Sequence, residues 1–342
     1  MEEIKEKEII IGKEENFSDV VEDYVMEAAD VVARTPEVEI IDTLDNVDVA
    51  DETALVVTEH MLDSLAPAYT EEDEIGLGGW KKRVVVVTGA STGVGLATAR
   101  RFSLYADIVY NLGLYKQEDD SINFIKTDVT KSEELTSAFA KIFQKEGQID
   151  VLINNAGVGF GGTAEGVSSQ TAMDIFNVNV LGTINACACV IPYMRERGRG
   201  RIINISSLAS VFPMPFQSLY SSSKAAVTNY THALRTEVAP LKIKVSTVQY
   251  AEVRTDFTEN RLKNKEDSKA YKYRLAKSMA KHEFTEQQAG AEPDWIAVKL
   301  FRLSNKRRPK PVYVYGFKNK MRVFFARFLP SGTINKLVAR KY

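Results

Sequence analysis

Four consecutive valines, Val84 to Val87, run straight into Thr88-Gly89-Ala90-Ser91-Thr92-Gly93-Val94-Gly95 and then into a helix-compatible stretch at 96–102. A β-branched run, a glycine-rich turn and a helix in that order leave few folds open. The valines suit a strand buried on both faces. The glycines permit positive φ and let the backbone approach a pyrophosphate, while the N–H groups at the helix start offer an anion site. Taken alone, the turn also reads as a plain tight loop, so its context decides.

From about Trp80 the pattern repeats: short apolar runs rich in Val and Ile alternate with longer amphipathic stretches, as expected of a parallel sheet covered by helices. Strands are expected at 83–87, 107–112, 123–126, 151–154, 201–205, 244–248 and 312–315. They imply one doubly wound α/β domain over residues 80–317, with a seven-stranded parallel sheet and helices on both faces.

Charge separates this domain from what precedes it. Residues 1–79 hold 24 Asp or Glu against 4 Lys or Arg, a net of −20 in a chain whose total is −2, which leaves +18 for residues 80–342. The acidic extension is expected to be helical or partly disordered, with helix-compatible stretches at 17–33 and 53–65 and an amphipathic spacing of Val20, Val21, Tyr24, Val25 and Ala28. No stretch approaches the roughly 20 apolar residues of a bilayer-spanning helix, and the acidic start lacks the features of a secretory signal. Cys187 and Cys189 are too close to close an ordinary disulfide, which suits a reducing, cytoplasmic setting. His60, His232 and His282 lie far apart in sequence and suggest neither a metal site nor a hydrolase triad.

Five segments together carry a resemblance. The spacing of Thr88-Gly89 to Gly93 and Gly95 is TGxxxGxG, and Asn154-Asn155-Ala156-Gly157 reads NNAG. Asn179 lies in Asn177-Val178-Asn179-Val180-Leu181-Gly182, Ser207 in Ile205-Ser206-Ser207, and Tyr220-Ser221-Ser222-Ser223-Lys224 reads YxxxK. Over about residues 82–317 the chain resembles the short-chain dehydrogenase/reductase family, including its lipid-acting members such as acyl-dihydroxyacetone-phosphate reductases and hydroxysteroid dehydrogenases. The resemblance implies a Rossmann fold and hydride transfer between a nicotinamide and a carbonyl or carbinol carbon, without a metal. It implies catalytic roles for Asn179, Ser207, Tyr220 and Lys224, with Asn177 and Ser206 as structural neighbours. It also implies cofactor contacts from Gly89, Ser91, Thr92, Gly93, Val94, Gly95, Asp128, Val129, Asn155, Ala156, Gly157, Tyr220, Lys224, Val253 and Thr255. Tyr220 and Lys224, four apart, share a helix face. An ammonium there is expected to draw the phenol below its ordinary value of about 10.

Two departures matter. The family's Pro-Gly after the sixth strand is Tyr250-Ala251 here, with Val253 and Thr255 kept, which is expected to narrow the nicotinamide pocket. An inactive, cofactor-sensing or lipid-surface interaction protein on the same fold is therefore the alternative reading. The second strand ends in Asn111-Leu112-Gly113 rather than in an acid for the ribose diol, which leans towards NADP(H) over NAD(H), with Lys116 as a phosphate partner.

Residues 295–342 contain 13 Lys or Arg and no Asp or Glu, interleaved with Met321, Val323, Phe324, Phe325, Phe328, Leu329, Ile334, Leu337 and Val338. A basic amphipathic tail at 318–342 suits the interface of an anionic membrane or lipid droplet, or packing on the domain or a second subunit. The expected partners are a hydrophobic carbonyl or alcohol, a peripheral membrane or droplet surface and, by resemblance, a second copy of the chain. Nucleic acid is not expected. The acidic extension is expected to screen the tail from anionic surfaces.

Overall fold

The computed structural model describes residues 82–255, 257, 260–264 and 268–341. The acidic extension, its expected helices and His60 lie outside the described residues.

Seven strands form one parallel sheet: β1 Val84–Thr88, β2 Ile108–Gly113, β3 Asn123–Lys126, β4 Val151–Asn154, β6 Gly200–Ile205, β7 Ile243–Gln249 and β9 Val312–Val314. Their order across the sheet is β3-β2-β1-β4-β6-β7-β9. All seven expected strands are present, each within one residue of its expected ends. The order reverses between β1 and β4, and in a sheet of this type the carboxyl ends at such a reversal open a crevice for a ligand. A second, two-stranded sheet pairs β5 Phe160–Gly161 with β8 Leu262–Lys263. Neither of these short strands was expected.

Both faces of the large sheet are covered, which is why its strands read as unbroken apolar runs rather than alternating ones. On one face α2 Ser132–Glu146 and α4 Gly182–Glu196 bury Leu135, Phe139, Ile142, Cys187, Val190 and Met194 against Val84, Val86, Leu112 and Leu152. On the other, α1 Gly93–Ser103 and α7 Pro293–Asn305 bury Phe102, Ile296, Leu300 and Phe301 against Val85, Val87, Val109 and Ile153. Alternate valines of β1 thus feed opposite cores. Each such fully buried side chain contributes about 1.5–3 kcal/mol.

The remaining helices are α3 Ser169–Phe176, α5 Ser218–Glu237, α6 Lys272–Ala289, α8 Phe317–Ala326 and α9 Ser331–Lys341. A π-helical turn, Asn177–Leu181, joins α3 to α4, so the chain is helical from Ser169 to Glu196. That run is long and apolar enough to cross a bilayer, contrary to expectation. It packs instead on the sheet, through the buried Ala186, Cys187, Val190 and Met194, and Asn179 at its centre is hydrogen-bonded. Cys187 and Cys189 are free thiols, and burial pushes Cys187 up to about 12. His232 is exposed on α5 and His282 is buried on α6.

The tail forms α8 and α9. Helix α8 seats Val323 and Ala326, while Phe317, Phe324, Phe325, Phe328 and Leu329 remain exposed among Lys318, Lys320, Arg322 and Arg327.

Candidate active site

The glycine-rich turn is as tight as its residues permit. Gly89 (φ +66°) and Gly93 (φ +55°) adopt left-handed conformations. A Cβ on Gly95 would lie 2.3 Å from the Gly89 carbonyl oxygen and 2.5 Å from Asn155 Nδ2, and one on Gly89 would lie 2.9 Å from Ala156 Cα. The turn is therefore pressed against Asn155-Ala156. Asn155 Nδ2 donates to the carbonyls of Thr88 (3.2 Å) and Gly89 (3.0 Å), and the amides of Asn155 and Ala156 both donate to Thr88 Oγ1 at 3.0 Å. Thr88, the first letter of the motif, is thus the hinge that ties β1 to β4, a role the spacing alone did not assign. Thr255 closes the other side, its Cγ2 3.1 Å from where a Gly93 Cβ would be. Val253 is buried and bridges Ala291. Gly89 and Gly95 thus meet Asn155-Ala156 and Gly93 meets Thr255, and a backbone with glycines at each of these close approaches fits a dinucleotide phosphate.

Strand β2 ends in Asn111-Leu112-Gly113, without an acid. Asn111, fully buried, accepts from the Ala90 amide at 3.0 Å and donates to Gln117 Oε1 at 2.8 Å. Lys116 pairs with Asp120 at 3.0 Å on the surface. Asp128 accepts from the amide and hydroxyl of Thr130 (2.9 and 2.7 Å), and Val129 packs against Gly182 of α4.

Asn179, Ser207, Tyr220 and Lys224 converge beyond Gly157. A Cβ on that glycine would lie 3.1 Å from Asn179 Oδ1 and 3.4 Å from Lys224 Nζ. Asn179 sits in the π turn, a local widening that aims its amide inward rather than along the helix. Its Oδ1 accepts from the Val158 amide at 2.8 Å, and its Nδ2 donates to the Val158 carbonyl and to Ser223 Oγ, both at 2.9 Å. Asn177, the first residue of the same turn, is half-buried. Ser206 donates to the Lys224 carbonyl at 2.9 Å and shares a hydrogen with Thr228, so it ties β6 to α5. Ser207, next along, accepts from the Ala209 amide at 3.1 Å and lies near enough to the Tyr220 hydroxyl to lower it.

The ionisation of this set differs from the sequence expectation. Lys224 Nζ donates to the Ile205 carbonyl at 3.0 Å and lies 5.8 Å from the centre of the Tyr220 ring. The ammonium does not draw the phenol below its ordinary value. Burial dominates and pushes Tyr220 up to about 12, against the lowering by Ser207 and Arg261. Burial likewise pushes Lys224 down to about 8.

Tyr250, in place of the expected proline, packs against the core beneath α7, and its carbonyl accepts from the Leu208 amide at 3.1 Å. Burial and the neighbouring Tyr220 push its phenol up.

Besides Thr88, the residues that sequence reasoning missed come from the segment that follows β7 and from α6. Phe257 lies against Tyr220, ring centroids 5.8 Å apart. Arg261 runs over Gly159, where a Cβ would meet its Cγ at 2.6 Å, and pairs with Glu286 of α6 at 3.2 Å in a buried ion pair. Their only signal was indirect: a glycine-rich 157–162 segment needs something pressed on it, but spacing does not say what.

Comparison with known proteins agrees with this geometry. The family profile described as short chain dehydrogenase matches residues 83–266. A 3-ketodihydrosphingosine reductase of Bacteroides thetaiotaomicron is 42% identical over 180 residues, 52% of this chain and 67% of that protein. The NADPH-dependent 1-acyldihydroxyacetone phosphate reductase of Saccharomyces cerevisiae is 31% identical over 76% of this chain and 91% of its own length. A crystal structure of a short-chain dehydrogenase from Streptomyces avermitilis superposes with a TM-score of 0.65 at 26% identity, covering 77% of this chain and 95% of that one. The chain belongs to the short-chain dehydrogenase/reductase family and is an NAD(P)-dependent oxidoreductase.

Proposed function

We propose that the protein reduces the carbonyl of a hydrophobic, lipid-derived substrate with NADPH, Tyr220 delivering the proton to the carbonyl oxygen. The observation that carries this reading is the meeting of Asn179 and Lys224 at Gly157, with Tyr220 beside Lys224 and Ser207 acting on its hydroxyl, next to a glycine-rich turn that fits a dinucleotide phosphate. A bound nicotinamide supplies the hydride to the carbonyl carbon. Ser207 holds the oxygen and polarises it. With its phenol near 12, Tyr220 keeps its proton at neutral pH and is poised as the acid of a reduction. Lys224 holds the nicotinamide ribose, and Asn179 anchors the proton path behind it.

Two relatives whose names carry lipid ketones support the substrate class. The preference for NADPH rests on the lack of an acid at the end of β2, where Asn111 is held by the Ala90 amide, and on Lys116 in the loop that follows as a phosphate partner. Residues 80–317 do the chemistry in this reading. The exposed aromatics and lysines of 318–342 hold the protein, as a homo-oligomer, to the cytoplasmic face of an anionic membrane or droplet.

Titration of the purified full chain with NADPH and NADH by nucleotide fluorescence, followed by a panel of long-chain ketones, tests the reading. Tighter binding of NADPH and turnover of a lipid ketone are expected. Binding without turnover would leave a cofactor sensor, the reading that Tyr250-Ala251 favours, and binding of neither nucleotide would leave an interaction protein. In a parallel test, Phe324→Ser with Phe328→Ser should weaken binding to phosphatidylserine vesicles, and removal of residues 1–79 should strengthen it at low salt.

A further inference from the structure

Three strands of the large sheet start in basic chain. Strand β6 opens at Gly200-Arg201, β7 at Ile243-Lys244, and β9 follows Lys306-Arg307-Arg308-Pro309-Lys310. Arg201 and Lys244 are register partners on neighbouring strands, so they stand side by side on one face of the sheet. There they hold the loop that leads into β9. Arg201 Nη2 donates to the Lys306 carbonyl at 2.5 Å, and Lys244 Nζ donates to the Arg307 carbonyl. Arg235 Nη2 and Ser246 Oγ donate to the carbonyls of Pro309 (2.8 Å) and Lys310 (2.9 Å). The loop is thus fastened through its backbone, and the side chains of Lys306, Arg307, Arg308 and Lys310 are exposed, with Lys306 Nζ 5.4 Å from the centre of the Tyr313 ring.

The acids of this edge are engaged elsewhere. Arg83 takes Asp107, while Arg197, Arg199 and the Val84 amide take Asp150. Neither the exposed Glu196 and Glu237 nor Arg201, Arg235, Lys244 and the four cations of the loop form an ion pair among the described residues. Arg201 is 7% exposed, and its Nη1 has no hydrogen-bond partner among the described residues. Burial, with Arg235 and Arg83 adding to it, pushes this guanidinium down to about 10, and burial, Arg201 and Arg307 lower Lys244.

We propose that Lys244, Lys306 and Arg307, above the buried Arg201, form a binding site for a phosphoryl group. A phosphate monoester spreads about two negative charges over three acceptor oxygens, so it can meet cations from two strand starts and a loop at one point, where a carboxylate matches a single guanidinium fork. It also supplies the counter-charge that a buried guanidinium requires. The site is separate from the dinucleotide turn. Six residues of extended chain carry β6 from Arg201 to Ser207, about 20 Å at the rise of a strand, and the glycine-rich turn lies at that far edge. The inference therefore stands apart from the reductase reading.

Thermal unfolding of the full chain in saturating NADPH, which fills the dinucleotide's own phosphate sites, tests it. Sodium pyrophosphate should raise Tm by about 2–4 °C over sodium chloride of equal ionic strength. Lys306→Gln combined with Arg307→Gln alters exposed side chains of a loop held by its carbonyls. Most of the rise over chloride should be lost in that variant, and because each protein is compared with itself in chloride, a change in its basal Tm does not enter. The variant also isolates this edge whether or not the nucleotide binds. An equal rise in chloride, or a pyrophosphate rise undiminished in the double variant, overturns the inference. Cosedimentation with phosphatidylcholine vesicles, with and without phosphatidate, then distinguishes the sources of the group. Loss of phosphatidate-dependent binding in the double variant, with Phe324 and Phe328 intact, assigns it to a lipid head; unchanged vesicle binding beside a lost pyrophosphate rise assigns it to a soluble ligand.

Discussion

The half of the site that faces the dinucleotide and the half that covers the substrate are held by different physics. The first is a matter of backbone: left-handed glycines, a threonine hydroxyl accepting from two amides, and uncharged Asn side chains bonded to main chain at Gly89, Ala90 and Val158. Little there can change, because each close approach excludes a Cβ. The cover is a matter of charge: two-residue strands, the ion pairs Arg254–Glu292 (2.5 Å) and Arg261–Glu286 (3.2 Å), and Phe257 laid on Tyr220. Many sequences could build such a cover. The first half can therefore serve any carbonyl, and the second decides which one.

Breaking the seam between them should have the largest effect. Tyr220→Phe keeps the ring that Phe257 touches and removes only the proton, so carbonyl reduction should fall by about 10²–10⁴-fold. Nucleotide affinity should stay within error of wild type; a reduction rate equal to wild type would end the assignment. Next is Gly95→Ala, confined to the first half. Its Cβ has nowhere to go between the Gly89 carbonyl and Asn155, so overpacking should cost about 1–3 kcal/mol in denaturant unfolding and weaken nucleotide binding at least tenfold. Unchanged NADPH affinity would mean that this turn does not carry the nucleotide.

This division also explains what could be read in advance. The seven strands were legible because a sheet covered on both faces needs continuous apolar runs, and Val84 to Val87 feed two cores at once. The turn was legible because its glycines sit where the backbone must turn tightly, whereas Asn179, Ser207, Tyr220 and Lys224 stood out only through the resemblance to the family's motifs. Three things were not. The Tyr220 phenol rises rather than falls because the depth of burial, which spacing does not encode, outweighs a lysine engaged with Ile205. The helical run from Ser169 to Glu196 was hidden because the Asn177–Leu181 π turn lets it continue through polar Asn177 and Asn179. Arg261 and Glu286 are 25 residues apart and meet only because α6 returns to β5, its Met279 against Gly161, a long-range pairing of two ordinary charges.

Smaller effects sharpen the contrast from the side of the cover. Arg261→Gln should leave NADPH affinity unchanged, since the first half contains none of its contacts. Because Arg261 draws Tyr220 down, its loss should raise the phenol further. Alcohol oxidation, which needs the phenolate as base, should then be slower at any pH between about 8 and 10 and its rise with pH displaced upward. A profile superposable on wild type would show that the guanidinium does not act on Tyr220.

The smallest effect concerns stability. Burial holds the Glu286 carboxyl at about 7 against 4.5 for a free glutamate. Between those values the folded chain keeps a proton that the unfolded chain has released, so this group's contribution falls as pH rises through the window and the penalty is complete above about 7. Glu286→Gln carries no such charge. The Tm difference between variant and wild type should accordingly move in the variant's favour from pH 5 to pH 7.5, by a few degrees at most in a domain of this size. At pH 5 the variant gains little, because wild-type Glu286 is already largely protonated. Parallel melting curves across that range would mean that Arg261 fully compensates the carboxylate, and the cover would then be as neutral as the cleft beneath it.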